Sequence, residues 1–163
     1  MFDLVISDVE MRAIFGLILS LVAGYIIGIE RESRGKDAGI STHSMVVAGS
    51  AMFTLISAAV DPASTSRIAA QVVTGVGFLG GGMILKEGSV VKNLTTAASL
   101  WVSASIGMAF GFGLYFLGIV STFIVAIIPR LPHLSKTSPE ALMNAIAQSD
   151  FVDSFTGSDN KKS

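Results

Sequence analysis

Apolar stretches long enough to cross a lipid bilayer recur along this sequence, and each is closed by a cluster of charge, by proline or by a glycine turn. A spanning helix needs about 20 mostly apolar residues, roughly 17 to 25. Residues 11–29 form one such run, closed by Glu30-Arg31-Glu32-Ser33-Arg34-Gly35-Lys36-Asp37, which reads as a solvated loop. A second covers residues 44–60 and stops at Asp61-Pro62, where proline cannot continue the helical ladder. A third covers 68–85 and stops at Lys86-Glu87-Gly88. Residues 94–128 then hold no charge for 35 positions, too long for one helix, with Gly111-Phe112-Gly113 offering a turn. That stretch predicts a helical hairpin, with spans near 94–110 and 113–128. The fold class expected is all-α, an integral membrane helical bundle of about five transmembrane helices.

Only 14% of the chain is charged, against about 25% in soluble domains, so a water-facing surface cannot be built from it. Absence of cysteine removes disulfides and thiolate metal sites from consideration. Residues 1–10 form an acidic stretch with Asp3, Asp8 and Glu10, lacking the basic start of a cleaved signal peptide, so the first span is expected to persist. With five spans, Arg31, Arg34, Lys36, Lys86, Lys92, Arg130, Lys136, Lys161 and Lys162 fall on one side and only Arg12 and Arg67 on the other. Basic loops are retained in the cytoplasm, which puts the amino end outside and the carboxyl end inside. Residues 129–163 read as a short cytoplasmic tail, in which Ser138-Pro139-Glu140 carries the signals of a helix start for a segment near 139–148.

Several motifs carry more than one reading. Gly75-Val76-Gly77-Phe78-Leu79-Gly80 matches the dinucleotide GxGxxG pattern, but that fingerprint needs a strand before it and a helix after it, and here it lies within a span. Packing is the plainer use, since glycine lets helix backbones approach closely. Gly24 and Gly28, Gly77 and Gly81, and Gly107 and Gly111 all show small-xxx-small spacing, which points to tight packing or a homodimer. A sharper reading has Gly80-Gly81-Gly82 interrupting the third span around a polar path, as in discontinuous transporter helices. Gln71, Thr74, Thr95, Thr96, Ser99, Ser103 and Ser105 would line it, with Thr96, Ser99 and Ser103 on one helical face.

Among the charges, Arg67 stands on the side poor in basic residues, with Gln71 one turn further on. Glu30 and Arg31 meet the inner interface beside Gly24 and Gly28, where plain anchoring competes with function. His43 opens the second span, as an anchor or, less simply, a proton sensor. No acid sits at the centre of a span, which argues against a divalent path through one protomer. No nucleophile, base and acid stand together, so no enzyme activity is expected, and no cofactor and no nucleic acid.

Three strings carry a resemblance: Gly28-Ile29-Glu30-Arg31; residues 67–82 from Arg67 through Gly75, Gly77, Gly80, Gly81 and Gly82; and Leu94-Thr95-Thr96-Ala97-Ala98-Ser99-Leu100-Trp101. Together they resemble the MgtC/SapB family of bacterial inner-membrane proteins, over about residues 11–128. The resemblance implies a five-span domain with a cytoplasmic carboxyl end, linked to adaptation to low magnesium and, in pathogens, to survival inside macrophages. Members were named as magnesium transporters. For the best known, a regulatory role through membrane partners is implied, among them the proton-translocating ATP synthase. Two departures stand out. Gly39-Ile40-Ser41-Thr42-His43 has Ser41 where the family usually has arginine, which questions any role needing that cation. Many members also append a folded cytoplasmic domain, for which 35 residues after 128 are too few, so regulation through it is expected to be absent.

Overall fold

The computed structural model describes residues 7–131. Five helices make the fold: α1 (Asp8–Ser33), α2 (Ile40–Val60), α3 (Ser66–Met83), α4 (Leu94–Gly111) and α5 (Tyr115–Ile127), the last running on into a 3-10 turn at Ile128–Arg130. By length and composition α1, α2 and α4 are long and apolar enough to cross a membrane, and α5 is apolar but shorter. The expected helix near 139–148 lies outside the described residues, as do the first six positions.

Local chemistry sets most of the helix ends. A capping box opens α1: the Glu10 N–H donates to Ser7 Oγ at 3.3 Å, and the Ser7 N–H donates to Glu10 Oε2 at 2.8 Å. Glu32 Oε2 accepts the Ile40 N–H at 3.1 Å, serving one of the orphan donors that begin α2. The start of α3 is capped from another helix, because Ser57 Oγ accepts the N–H groups of Ile68 and Ala69 at 3.2 and 3.3 Å and donates to Thr65 O at 2.6 Å. Between α4 and α5, Gly113 at φ +77° closes a Schellman turn, its N–H on Phe110 O at 3.0 Å and that of Leu114 on Ala109 O at 2.8 Å. This is the hairpin turn expected near Gly111-Phe112-Gly113.

α2 and α4 lie at the centre of the bundle. Ala23, Ile27, Val47, Ile106 and Phe110 form a core between α1, α2 and α4, while Val72, Val76 and Ala104 form a second where α3 meets them. Glycine makes the closest of these approaches possible. A Cβ on Gly24 would meet Ser44 N at 2.7 Å, and one on Gly111 would meet Ala51 O at 2.6 Å. Gly28 and Gly107 face backbone of α2 more closely still, at Ile40 and Val47. Two of the three small-xxx-small pairs are therefore spent on packing within the chain.

Three expectations need correcting. Helix α1 does not stop at Ile29 but runs through Glu30 and Arg31, because both side chains fold into the bundle. The third span is not interrupted by glycine: α3 passes unbroken through Gly80, Gly81 and Gly82 and stops after Met83. Each of these residues keeps a helical partner, and the low helix propensity of glycine, about 1 kcal/mol against alanine, does not outweigh that. The third run ends not at residue 85 but at Met83, beyond which the chain forms an antiparallel hairpin, β1 (Leu85–Glu87) paired with β2 (Val90–Lys92), Lys86 opposite Val91. Gly88 at φ +62° allows its turn, and Asn93 at φ +64° turns the chain into α4, a left-handed conformation that asparagine tolerates better than most residues.

Candidate functional site

The structure gathers polar side chains from α1, α2 and α4 at one end of the bundle. Arg31 is 3% exposed, Glu30 2%, and His43 and Thr96 are sealed from solvent, an unusual density of buried polar groups in so apolar a chain. Arg31 reaches across from α1, its Nη2 donating to Thr96 Oγ1 on α4 at 3.3 Å. Glu30, the next residue, lies beside Arg34, whose Nε is 2.6 Å from Glu30 Oε1. The charges are close but the N–H is off line, so neither carboxylate oxygen accepts a hydrogen bond, and Arg31 Nε has no acceptor either.

His43 ties the second helix to the fourth. Its Nδ1 lies 3.0 Å from Gly39 O and its Nε2 lies 3.2 Å from Ser99 Oγ. A carbonyl can only accept, so Nδ1 carries a proton. The Ser99 hydroxyl then has two acceptors in reach, His43 Nε2 and Thr96 O at 2.8 Å. Ser103, one turn further into α4, is fully buried with no partner for its hydroxyl. Beside the cluster, Asn93 Nδ2 donates to Asp37 Oδ2 at 2.5 Å and so fastens the α1–α2 loop to the hairpin.

The candidate residues from sequence separate into two groups. Glu30, Arg31, His43, Thr96 and Ser99 come together in this cluster, with Thr42 half-buried next to His43. Arg67, Gln71, Gly75, Gly77, Gly81 and Gly82 lie instead on exposed surface of α3. Arg67 is 73% exposed at its side chain and pairs across the α2–α3 turn with Asp61 at 3.4 Å. Gly80 is buried against Ala97, its virtual Cβ 3.6 Å from the alanine, and contributes to α3–α4 packing. Thr95 and Trp101 are exposed on α4. The helical backbone through residues 75–80 has no strand before it, so the dinucleotide reading is excluded.

Neither of the two best-defined grooves joins Gln71, Gly80 and Thr96. An apolar groove of about 470 Å³ lies between α2 and α3, and it includes Gln71 but neither of the others. No group of three or more histidine, aspartate or glutamate side chains is placed to hold a metal among the described residues. Sequence reading missed Asn93, Asp37 and Ser57. For Asn93 the signal was available: asparagine directly before a helix, after a short apolar run, suits a left-handed turn.

The MgtC family model matches residues 17–135 of the chain. The protein named "Putative magnesium transporter YhiD" from Escherichia coli (strain K12) is 44% identical over 132 residues, covering 74% of this chain and 60% of that one. Protein MgtC of Salmonella typhimurium (strain LT2) is 44% identical over 112 residues, covering 69% of this chain and 48% of its own length. This chain thus spans about half to three-fifths of the relatives it matches. No solved structure gives a significant match.

Proposed function

The chain belongs to the MgtC family, and from that premise we propose that this membrane protein acts in magnesium-linked homeostasis as a regulatory or accessory component rather than as a carrier. All five helices cross the bacterial inner membrane in this reading, with the amino end outside and the carboxyl end cytoplasmic, the arrangement favoured by the basic loops. The buried cluster then lies at the cytoplasmic end of the bundle, beside the loop that carries Arg34 and Lys36. Its role is to hold that face in one conformation for a protein partner in the membrane, the ATP synthase being the one that the family resemblance suggests. No catalytic step is assigned to it.

The observation that supports this reading most is that Arg31 and His43 tie the ends of α1, α2 and α4 together. Arg31 is held on Thr96 and His43 on Gly39 and Ser99, and neither of the two best-defined grooves reaches these residues. A carrier needs a path lined by polar groups that a solute can reach. Transport remains the second reading because the name of the Escherichia coli relative speaks for it.

Growth in low magnesium tests the proposal. In a bacterial strain lacking its own copy, the intact chain is expected to restore growth, and Thr96→Val, which removes the acceptor of Arg31, to restore it poorly at equal membrane abundance. Equal rescue by both forms would refute a functional role for the cluster.

A further inference from the structure

Between α2 and α3 the bundle leaves a lengthwise groove of about 470 Å³. Its α3 wall runs from Ile68 to Leu79, about 16 Å at about 1.5 Å of rise per residue, close to the hydrocarbon depth of one leaflet, about 15 Å. Glycine opens the groove from both sides, since a Cβ on Gly49 of α2 or on Gly75 of α3 meets nothing within 4 Å. The α3 wall is apolar except for Gln71, which is exposed and makes no side-chain hydrogen bond among the described residues. One turn beyond Gln71 on the same face stands Arg67, paired at 3.4 Å with Asp61, and both side chains are at least partly open to solvent. From the α2–α3 turn inwards the order is thus a charge pair, an unpaired carboxamide and an apolar trough.

A phospholipid presents matching chemistry in the same order: charged headgroup, ester carbonyls, acyl chain. We propose that this groove binds one phospholipid of the outer leaflet, of the class whose zwitterionic headgroup ends in a primary ammonium. Arg67 donates to the phosphate, for which the guanidinium fork is suited, and Asp61 accepts from the ammonium. The protein's ion pair gives up its internal contact for one with each end of the headgroup, so neither charge is stranded. Gln71 lies about 6 Å deeper, one helical turn on, where its amide N–H donates to an ester carbonyl and is no longer unpaired in hydrocarbon. The acyl chain lies along Phe53, Val72 and Val76, over the two glycines. An apolar recess alone takes any chain, and it is the charges and the carboxamide at the outer end that select the headgroup. The inference rests on α3 crossing the membrane with Arg67 at its outer end, and is independent of which magnesium-linked role the protein has.

The probe is phosphatidylethanolamine with a photoactivatable diazirine on one acyl chain, mixed into nanodiscs that hold the full chain, with adducts mapped by peptide mass spectrometry. Adducts at Phe53, Val76 and Leu79 are expected to exceed those at Ile18 and Ile124, on the lipid-facing sides of α1 and α5. Unlabelled phosphatidylethanolamine should compete at about a tenth of the concentration that phosphatidylcholine needs, since a quaternary ammonium cannot donate to Asp61. Gly75→Leu fills the groove without a clash and should abolish the groove adducts with the thermal transition unchanged. Arg67→Gln should lower them about tenfold. The chain has no cysteine, so Ala63→Cys, labelled in cells by a membrane-impermeant maleimide, reads the orientation separately. Protection of that thiol from outside overturns the five-span reading on which the site rests. With the thiol labelled, adducts spread equally over α1, α5 and the groove, equal competition by the two lipids, or full adduct yield in Arg67→Gln overturns the lipid site itself.

Discussion

Replacing Glu30 with methionine is expected to destabilise the protein by about 1–3 kcal/mol, because it removes the negative charge that supports the buried Arg31 guanidinium and the ion-pair partner of Arg34. The carboxylate is 2% exposed and its charge supports that of Arg31, which is itself 3% exposed and held on Thr96. Taking it away leaves the Arg31 guanidinium buried without that support. Arg34 is not stranded in the same way, because its side chain is 41% exposed and can turn to water. Removing both charges should cost much less: Glu30→Met with Arg31→Met empties the site of its desolvation penalty, and such replacements are often neutral. Unfolding titrations in mixed micelles of the two single variants and the double variant measure this, and a double variant as unstable as the sum of the singles would show that the charges do not act as a pair.

The second large effect concerns backbone approach. Gly107→Ala is expected to destabilise by about 1–3 kcal/mol and Gly107→Leu to prevent accumulation of folded protein, since overpacking forces backbone shifts. The virtual Cβ at this position runs into Val47 O and comes within 2.9 Å of Ser50 Cβ, and neither a carbonyl in a helix nor a Cβ can swing aside. Gly77 and Gly81 share the same spacing in sequence but meet nothing within 4 Å. Substitution of either by alanine should leave thermal stability unchanged. A loss at Gly81 equal to that at Gly107 would contradict the packing described for α2 and α4.

This contrast shows where sequence stops being informative. The helices were legible because an apolar run bounded by charge is a local property, and α2, α4 and α5 fall close to the runs at 44–60, 94–110 and 113–128. Which glycine faces a neighbour is not local. Gly24, Gly77 and Gly107 look alike in sequence, and only the packing of α2 against α1 and α4 separates them. The same holds for charge. Arg67 drew attention by standing on the poorly basic side, yet it lies exposed on a partner of its own, whereas Arg31, inside a run of charges that reads as loop, is the one the bundle buries. The hairpin at residues 85–92 was missed because Lys86 and Glu87 mask two strands of only three residues, though Val90-Val91 after Gly88-Ser89 is a strand and turn signal. Thr96, Ser99 and Ser103 were placed on one helical face by spacing alone; two are fully buried and Ser99 meets His43, because that face turns towards α1 and α2.

The most direct measurement is flux. Purified chain in sealed liposomes, shown to be folded by its thermal transition, is given a magnesium gradient while a magnesium dye and a pH dye are read inside. A regulatory or accessory protein should leave both dyes silent at any gradient. Magnesium or proton flux that is abolished by Thr96→Val or by Arg67→Ala in folded protein would contradict the account and establish a carrier.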